Sequence, residues 1–129
     1  SGGYMAIASG GYVTHPVQSL GSSQTATAVT NYGISYLTGT TTGPTYTLAA
    51  PVAGTWKNVI LNPTSSGATH RCVVLTNSTG TSLSSTGMNQ ITMATSALRA
   101  VQMVGINTTT WRVLSVYTTT MGGFATKST

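Results

Sequence analysis

Thr69-His70-Arg71-Cys72-Val73-Val74-Leu75-Thr76 reads as a β-strand that is apolar on both faces at Cys72 to Leu75, as a central or interface strand would be. Strand and turn signals alternate on either side of it. Upstream, Trp56-Lys57-Asn58-Val59-Ile60-Leu61 is a second strand, closed by Asn62-Pro63 and Ser65-Ser66-Gly67. Before it, Tyr46-Thr47-Leu48 runs into a turn over Ala49-Ala50-Pro51-Val52-Ala53-Gly54. Downstream, Asn77-Ser78-Thr79-Gly80 is a turn, and Ser82 to Ser84 a short strand before Thr86-Gly87. Asn107-Thr108-Thr109 turns the chain into Trp111-Arg112-Val113-Leu114-Ser115-Val116-Tyr117, a strong strand. Short strands at this spacing predict an all-β fold, a compact β-sandwich or barrel, over residues 45–117.

Residues 88–105 admit two readings. A helix from Met88 to Val104 would be continuous, but it would contain Thr92, Thr95 and Val101 with no clear cap. Two strands joined at Ala94-Thr95-Ser96-Ala97 fit the surroundings better, because Ile91 and Met93 alternate with Gln90 and Thr92. A local echo links two of the strands: Gly54-Thr55-Trp56-Lys57 parallels Thr109-Thr110-Trp111-Arg112, each a turn, a Trp, a cation and then an apolar strand. Alternation is expected to send Trp56 and Trp111 inward, and Lys57 and Arg112 out to water.

The chain contains no Asp and no Glu. Its formal charges are Lys57, Arg71, Arg99, Arg112 and Lys127, for a net +5. Without side-chain carboxylates, two-carboxylate glycoside hydrolysis is excluded, as are Mg²⁺-dependent phosphoryl transfer and the usual Ca²⁺ cage. A Ser-His pair would lack its orienting acid. The expectation is a non-enzymatic protein with no catalytic residue, no cofactor and no metal. Thr (27), Ser (15) and Gly (15) supply 57 of the 129 residues, while 40% of the chain is apolar, too much for a disordered segment. β-Branched Thr and Val favour pleated, half-buried surfaces. A skin with 4% charged residues has little repulsion to hold copies apart, which suits a protein that lives packed against others. A homo-oligomer is expected, with a trimer as the leading form.

Cys72 is alone, so neither an intramolecular disulfide nor a cysteine-based metal site can form in one chain. It reads as a buried small hydrophobe. His70 would share its face, but no third group completes a catalytic pair. No stretch approaches the ~20 apolar residues of a membrane span. Ser1-Gly2-Gly3-Tyr4-Met5-Ala6 shows no basic region before an apolar run, so synthesis in a cytoplasm without export is expected.

Residues 1–44 form a zone of Gly, Ser, Thr and Tyr with scattered apolar residues. It is expected to be an extended N-terminal arm with short strands such as Ala26 to Thr30 and Ile34 to Leu37. Four of the six Tyr lie in it, and Tyr4, Tyr12, Tyr32 and Tyr36 are candidate partner contacts, because Tyr offers a large amphipathic face at low entropic cost. The alternative is that they cover the edge of the protein's own core. Residues 118–129 lose the pattern and read as a tail, flexible or ordered only against a neighbour. The five cations are spread along the chain with no basic stripe, so no nucleic-acid partner is expected. Arg71 and Arg99 instead suit orientation on an acidic protein lattice.

Gly43-Pro44-Thr45-Tyr46-Thr47-Leu48-Ala49-Ala50-Pro51-Val52-Ala53-Gly54-Thr55-Trp56-Lys57 resembles small virion proteins of tailed bacteriophages, as do Gly87-Met88-Asn89-Gln90-Ile91-Thr92 and Val104 to Val113. Among these, the chain looks most like capsid decoration proteins, also called head cement or head fibre proteins. The resemblance spans about residues 43–117 and carries no functional residue with it. It implies a β-sandwich or barrel, often trimeric, on the capsid exterior of the virion. Such a protein clamps neighbouring subunits of the major capsid protein lattice and is made in the bacterial host cytoplasm. The alternative function is a tail fibre, spike or tail-associated protein whose exposed Trp and Tyr stack on a host-surface glycan.

Overall fold

The computed structural model describes residues 6–7, 13–63, 69–76, 83, 87–118 and 125–126, and among these there is no helix. β1 (Ala6–Ile7) and β2 (Val13–Thr14) pair as an antiparallel ribbon. Five strands form one sheet: β3 (Val17–Leu20), β4 (Gly33–Gly39), β6 (Trp56–Pro63), β9 (Leu98–Gly105) and β10 (Trp111–Thr118), in the order β10-β9-β6-β4-β3. Four form the other: β5 (Thr45–Leu48), β7 (Arg71–Thr76), β8 (Gln90–Ala94) and β11 (Ala125–Thr126), in the order β11-β8-β7-β5. Buried side chains of both sheets make one core that includes Leu37, Tyr46, Leu48, Cys72, Met93, Met103 and Trp111. The architecture is an all-β sandwich, and the strand at Cys72 to Leu75 is interior to its sheet.

The first half of the chain winds rather than meanders. β3, β4 and β6 are parallel neighbours, with Val17 beside Ile34 and Ile34 beside Asn58. β5 and β7 are parallel in the opposite sheet, and Val29 makes a parallel bridge to Leu48 at that sheet's edge. The chain therefore passes from β3 across to Val29, back to β4, across to β5, back to β6 and across to β7. Parallel neighbours need a long crossover, and here each crossover is itself a strand or bridge of the facing layer. From β7 onward the pairing is antiparallel, β8 on β7, β9 on β6 and β10 on β9.

This winding corrects the arm. Residues 17–44 are part of the sandwich, and Leu20, Val29 and Leu37 sit in its core. The reason is visible in β4, where the inward set is Gly33, Ser35, Leu37 and Gly39. That set alternates in burial but not in hydrophobicity, so an apolar pattern does not reveal it. The boundary at residue 44 falls inside a turn of the coil. Residues 88–105 are two strands, not a helix, with a turn over 95–96. Within the segment read as a tail, Ala125 and Thr126 pair with Ile91 and Gln90. Tyr4, Tyr12, Ser82, Ser84 and the turn at 77–80 lie outside the described residues.

Gly105 shows how tightly the layers close. A Cβ there would run into the Val52 carbonyl oxygen, and the two ends are laced by Gly54 N–H to Gly105 O (2.8 Å) and Gly105 N–H to Thr55 O (2.9 Å). On β10 the pairing register shifts between Val113 and Ser115, a bulge that leaves Leu114 exposed.

Because β4 is interior to its sheet, a chain beginning at Gly43 is expected to show no cooperative thermal unfolding by far-UV circular dichroism. Leu37→Ala in the full chain is expected to cost about 2–5 kcal/mol, read from the urea midpoint. A truncated chain that melts cooperatively would restore the arm.

Candidate functional site

The two Trp-cation pairs face opposite ways. Trp111 is buried and Arg112 exposed, as alternation predicts. At the other copy the parity is reversed: Lys57 is 0% exposed and Trp56 is 51% exposed. An ammonium is far costlier to bury than an indole, so something in the interior must receive it. Lys57 lies in register with Gly33 on one side and Met103 on the other. Its Nζ donates to Thr30 Oγ1 at 2.9 Å, to the Tyr32 carbonyl at 3.0 Å and to Ser35 Oγ at 2.5 Å. All three of its protons can thus be placed.

The acceptors are themselves fixed. Ser35 Oγ donates to Gln18 Oε1 at 2.7 Å, and the same oxygen accepts the Thr30 N–H at 3.1 Å. Gln18 Nε2 donates to the Ala28 carbonyl at 3.0 Å, and Thr30 Oγ1 donates to the Tyr32 carbonyl at 3.1 Å. One network therefore ties β3 through Gln18, the β3–β4 crossover through residues 28–32, β4 through Ser35 and β6 through Lys57. Burial pushes the Lys57 ammonium from its ordinary 10.5 down to about 7. Three hydrogen bonds to the charged form act in the opposite sense, each worth roughly 1.5–3 kcal/mol.

Gly33 sets the approach of the segment before β3. Its φ of 71° lies in the left-handed region, and a Cβ would meet the Pro16 carbonyl oxygen. Ile34 N–H donates to that oxygen at 2.9 Å, laying His15-Pro16 against the start of β4.

With Lys57 inward, the opposite face of β6 carries Trp56, Asn58 and Ile60. Three rows cross this outer face: Trp56-Val104-Arg112, then Val17-Ile34-Asn58-Gln102-Ser115, then Ser19-Tyr36-Ile60-Ala100-Tyr117. Val17, Tyr36, Trp56 and Tyr117 are exposed on it. A half-open depression of about 260 Å³ is lined by His15, Gly33, Trp56, Asn58 and Gln102.

Among the described residues, those expected as partner contacts do not gather in one place. Tyr36 lies on this outer face, and Tyr32 is half-buried with its carbonyl holding Lys57. Arg71 opens β7 in the other sheet, beside Thr40, while Arg99 is a half-buried residue of β9. Sequence reasoning passed over Gln18, Ser35, Asn58 and Gln102. None of them belongs to a motif, and only the register assembles them.

Cys72 is fully buried, and burial pushes its thiol up to about 12. Tyr46 is pushed up to about 12 as well, by burial first and then by the neighbouring Cys72, and its hydroxyl donates to the Thr38 carbonyl at 2.8 Å. Both groups stay protonated near neutrality, so neither is a nucleophile there. Among the described residues no three of His, Cys, Asp or Glu stand together as metal ligands. Comparisons with protein-family models, with curated proteins and with solved structures return no significant match.

Two outcomes follow from these environments. Between pH 7 and about 9 the unfolded chain binds more protons than the folded one at Lys57, so stability is expected to rise with pH by about 1–4 kcal/mol. Above about 9 the raised Cys72 and Tyr46 oppose this, because the unfolded chain there loses protons that the folded chain keeps. Urea midpoints measured across pH 6–10.5 should therefore peak near pH 9, and Lys57→Met should remove the rising limb. A flat profile in the parent protein would contradict the lowered pKa of Lys57. Separately, Trp111→Ala is expected to cost about 3–5 kcal/mol. Trp111→Phe should cost less, because it also removes an indole N–H that has no partner among the described residues, a penalty of about 1–3 kcal/mol.

Proposed function

We propose that this chain is a non-enzymatic structural protein of a bacteriophage virion. It sits on the capsid exterior as a homo-oligomer, with a trimer as the working form, and stabilises the shell by bridging neighbouring capsid subunits. The observation that carries the reading is the exposed apolar rim of the five-stranded sheet. Leu114, Val116 and Tyr117 are 47%, 38% and 59% exposed on β10, which is eight residues long and lies at the sheet's edge. A long edge strand with apolar side chains is a template for association unless something covers it. Here the skin holds no acid and few cations, so charge does little to prevent contact.

The stretches that resemble phage virion proteins support the same reading from another direction. Gly54-Thr55 and Val104-Gly105 meet in space, laced by the backbone hydrogen bonds at Gly54 and Gly105. They build the end of the sandwich from which β6 and β10 start. The bridging mechanism is contact area: an oligomer seated over a junction must be displaced before the junction can open. With every formal side-chain charge positive, an acidic patch on the shell would orient the encounter. The second reading, a tail-associated glycan binder, draws on the exposure of Trp56.

Tyr117→Arg is expected to leave the circular dichroism spectrum unchanged and to shift the protein from oligomer to monomer in sedimentation equilibrium. Purified particles should carry the protein in a fixed stoichiometric ratio to the major capsid protein. A few copies per particle, confined to the tail, would replace this reading with the second.

A further inference from the structure

We propose that the depression at Trp56 binds a single neutral pyranose ring, stacked on the indole and hydrogen-bonded by the Asn58 and Gln102 carboxamides. The site does not depend on where the protein sits in a particle. It is defined by side chains of one copy.

The lining decides the chemistry. Trp56 is 51% exposed on the outer face of the sheet, in register with Val104 of β9. Aromatic faces are electron-rich and attract the polarised C–H groups of a flat, partly apolar ring. Asn58 and Gln102 are paired directly across β6 and β9, so two carboxamides stand side by side next to the indole. Each carboxamide both donates and accepts, which matches vicinal hydroxyls that also do both. The Asn58 carboxamide has no hydrogen bond within the described protein, and Gln102 Oε1 receives only a long contact of 3.4 Å from Ser115 Oγ. Both amides are therefore free to engage a ligand.

Position and size restrict the ligand further. Gly33 supplies bare backbone to the floor, and the Pro16–Ile34 hydrogen bond brings His15 to the rim as a fifth lining residue. Among the described residues no Lys or Arg lines the depression. In register, the cation nearest to Trp56 on this face is Arg112, two strands away and so about 10 Å distant. A charged sugar gains nothing at the seat itself. At about 260 Å³ the space is below the roughly 300–1,000 Å³ of sites for drug-sized ligands, so it holds one ring and leaves further sugars to solvent. A ligand of that size, half-open to water, is expected to bind with a dissociation constant on the order of 1 mM.

The test is a titration of the full-length ¹⁵N-labelled protein with methyl glycosides of glucose, galactose and N-acetylglucosamine, up to about 50 mM. Shift changes are expected for at least one glycoside at the Trp56 indole N–H, the Asn58 and Gln102 side-chain amides and the Gly33 amide, with the Trp111 indole unmoved. Trp56→Ala should weaken binding at least tenfold, and Trp56→Phe should retain part of it. The unmoved Trp111 signal in both variants reports an intact fold. Three results would overturn the proposal: no shift with any of the three glycosides, shifts that persist unchanged in Trp56→Ala, or tighter binding of methyl glucuronide than of its neutral counterpart.

Discussion

One ammonium group without a counter-ion constrains this fold more than any apolar contact does. Lys57 is buried in a chain that has no carboxylate side chain to pair with it. Desolvating such an ion costs several kcal/mol, and only a full set of acceptors offsets that. The set here comes from one short segment far from Lys57 in sequence: the Thr30 hydroxyl, the Tyr32 carbonyl and the Ser35 hydroxyl. Each of these positions is usable only if the crossover before β4 lies against the start of β6. The ion therefore selects the placement of that crossover, and with it the first parallel pairings of the coil.

The same constraint shapes the outer surface. Alternation along β6 leaves no freedom: with Lys57, Val59 and Leu61 inside, Trp56, Asn58 and Ile60 are outside. The exposed indole is a consequence of the buried amine. At β10 the pattern runs the other way, because Trp111 aligns with Gly105 in the inward row and Arg112 aligns with Val104 in the outward one. Two copies of one short pattern thus serve opposite ends, a core anchor at Trp111 and a surface platform at Trp56. The bare backbone at Gly33 then brings His15-Pro16 alongside that platform.

The all-β class and most strands from Thr45 to Tyr117 were legible in the sequence, because Val, Ile, Thr and aromatic runs alternate there between clear turn signals. The parallel winding was not. Its inward positions in β4 are Gly33, Ser35, Leu37 and Gly39, which keep the period of a strand without its hydrophobic signature. Ser35 is buried because it accepts from Lys57 and donates to Gln18, a reason that exists only in three dimensions. The outward facing of Trp56 is hidden from the sequence for the same cause. A cation next to a Trp points to water by default, and only the acceptors near residues 30–35 reverse it. Of the residues expected to contact a partner, Tyr36 reaches the outer face, whereas Asn58 and Gln102 become neighbours only through the β6–β9 register.

The most direct test of this account is the reactivity of the Lys57 amine. Reductive methylation of the native protein at neutral pH, followed by peptide mass spectrometry, compares the labelling rate at Lys57 with the rate in the urea-unfolded chain. Native Lys57 is expected to be labelled only through opening of the fold, at least a hundredfold more slowly than in urea and in step with stability. Labelling of native Lys57 at the rate of the unfolded chain would contradict a buried ammonium, and with it the placement of the crossover and the outward facing of Trp56.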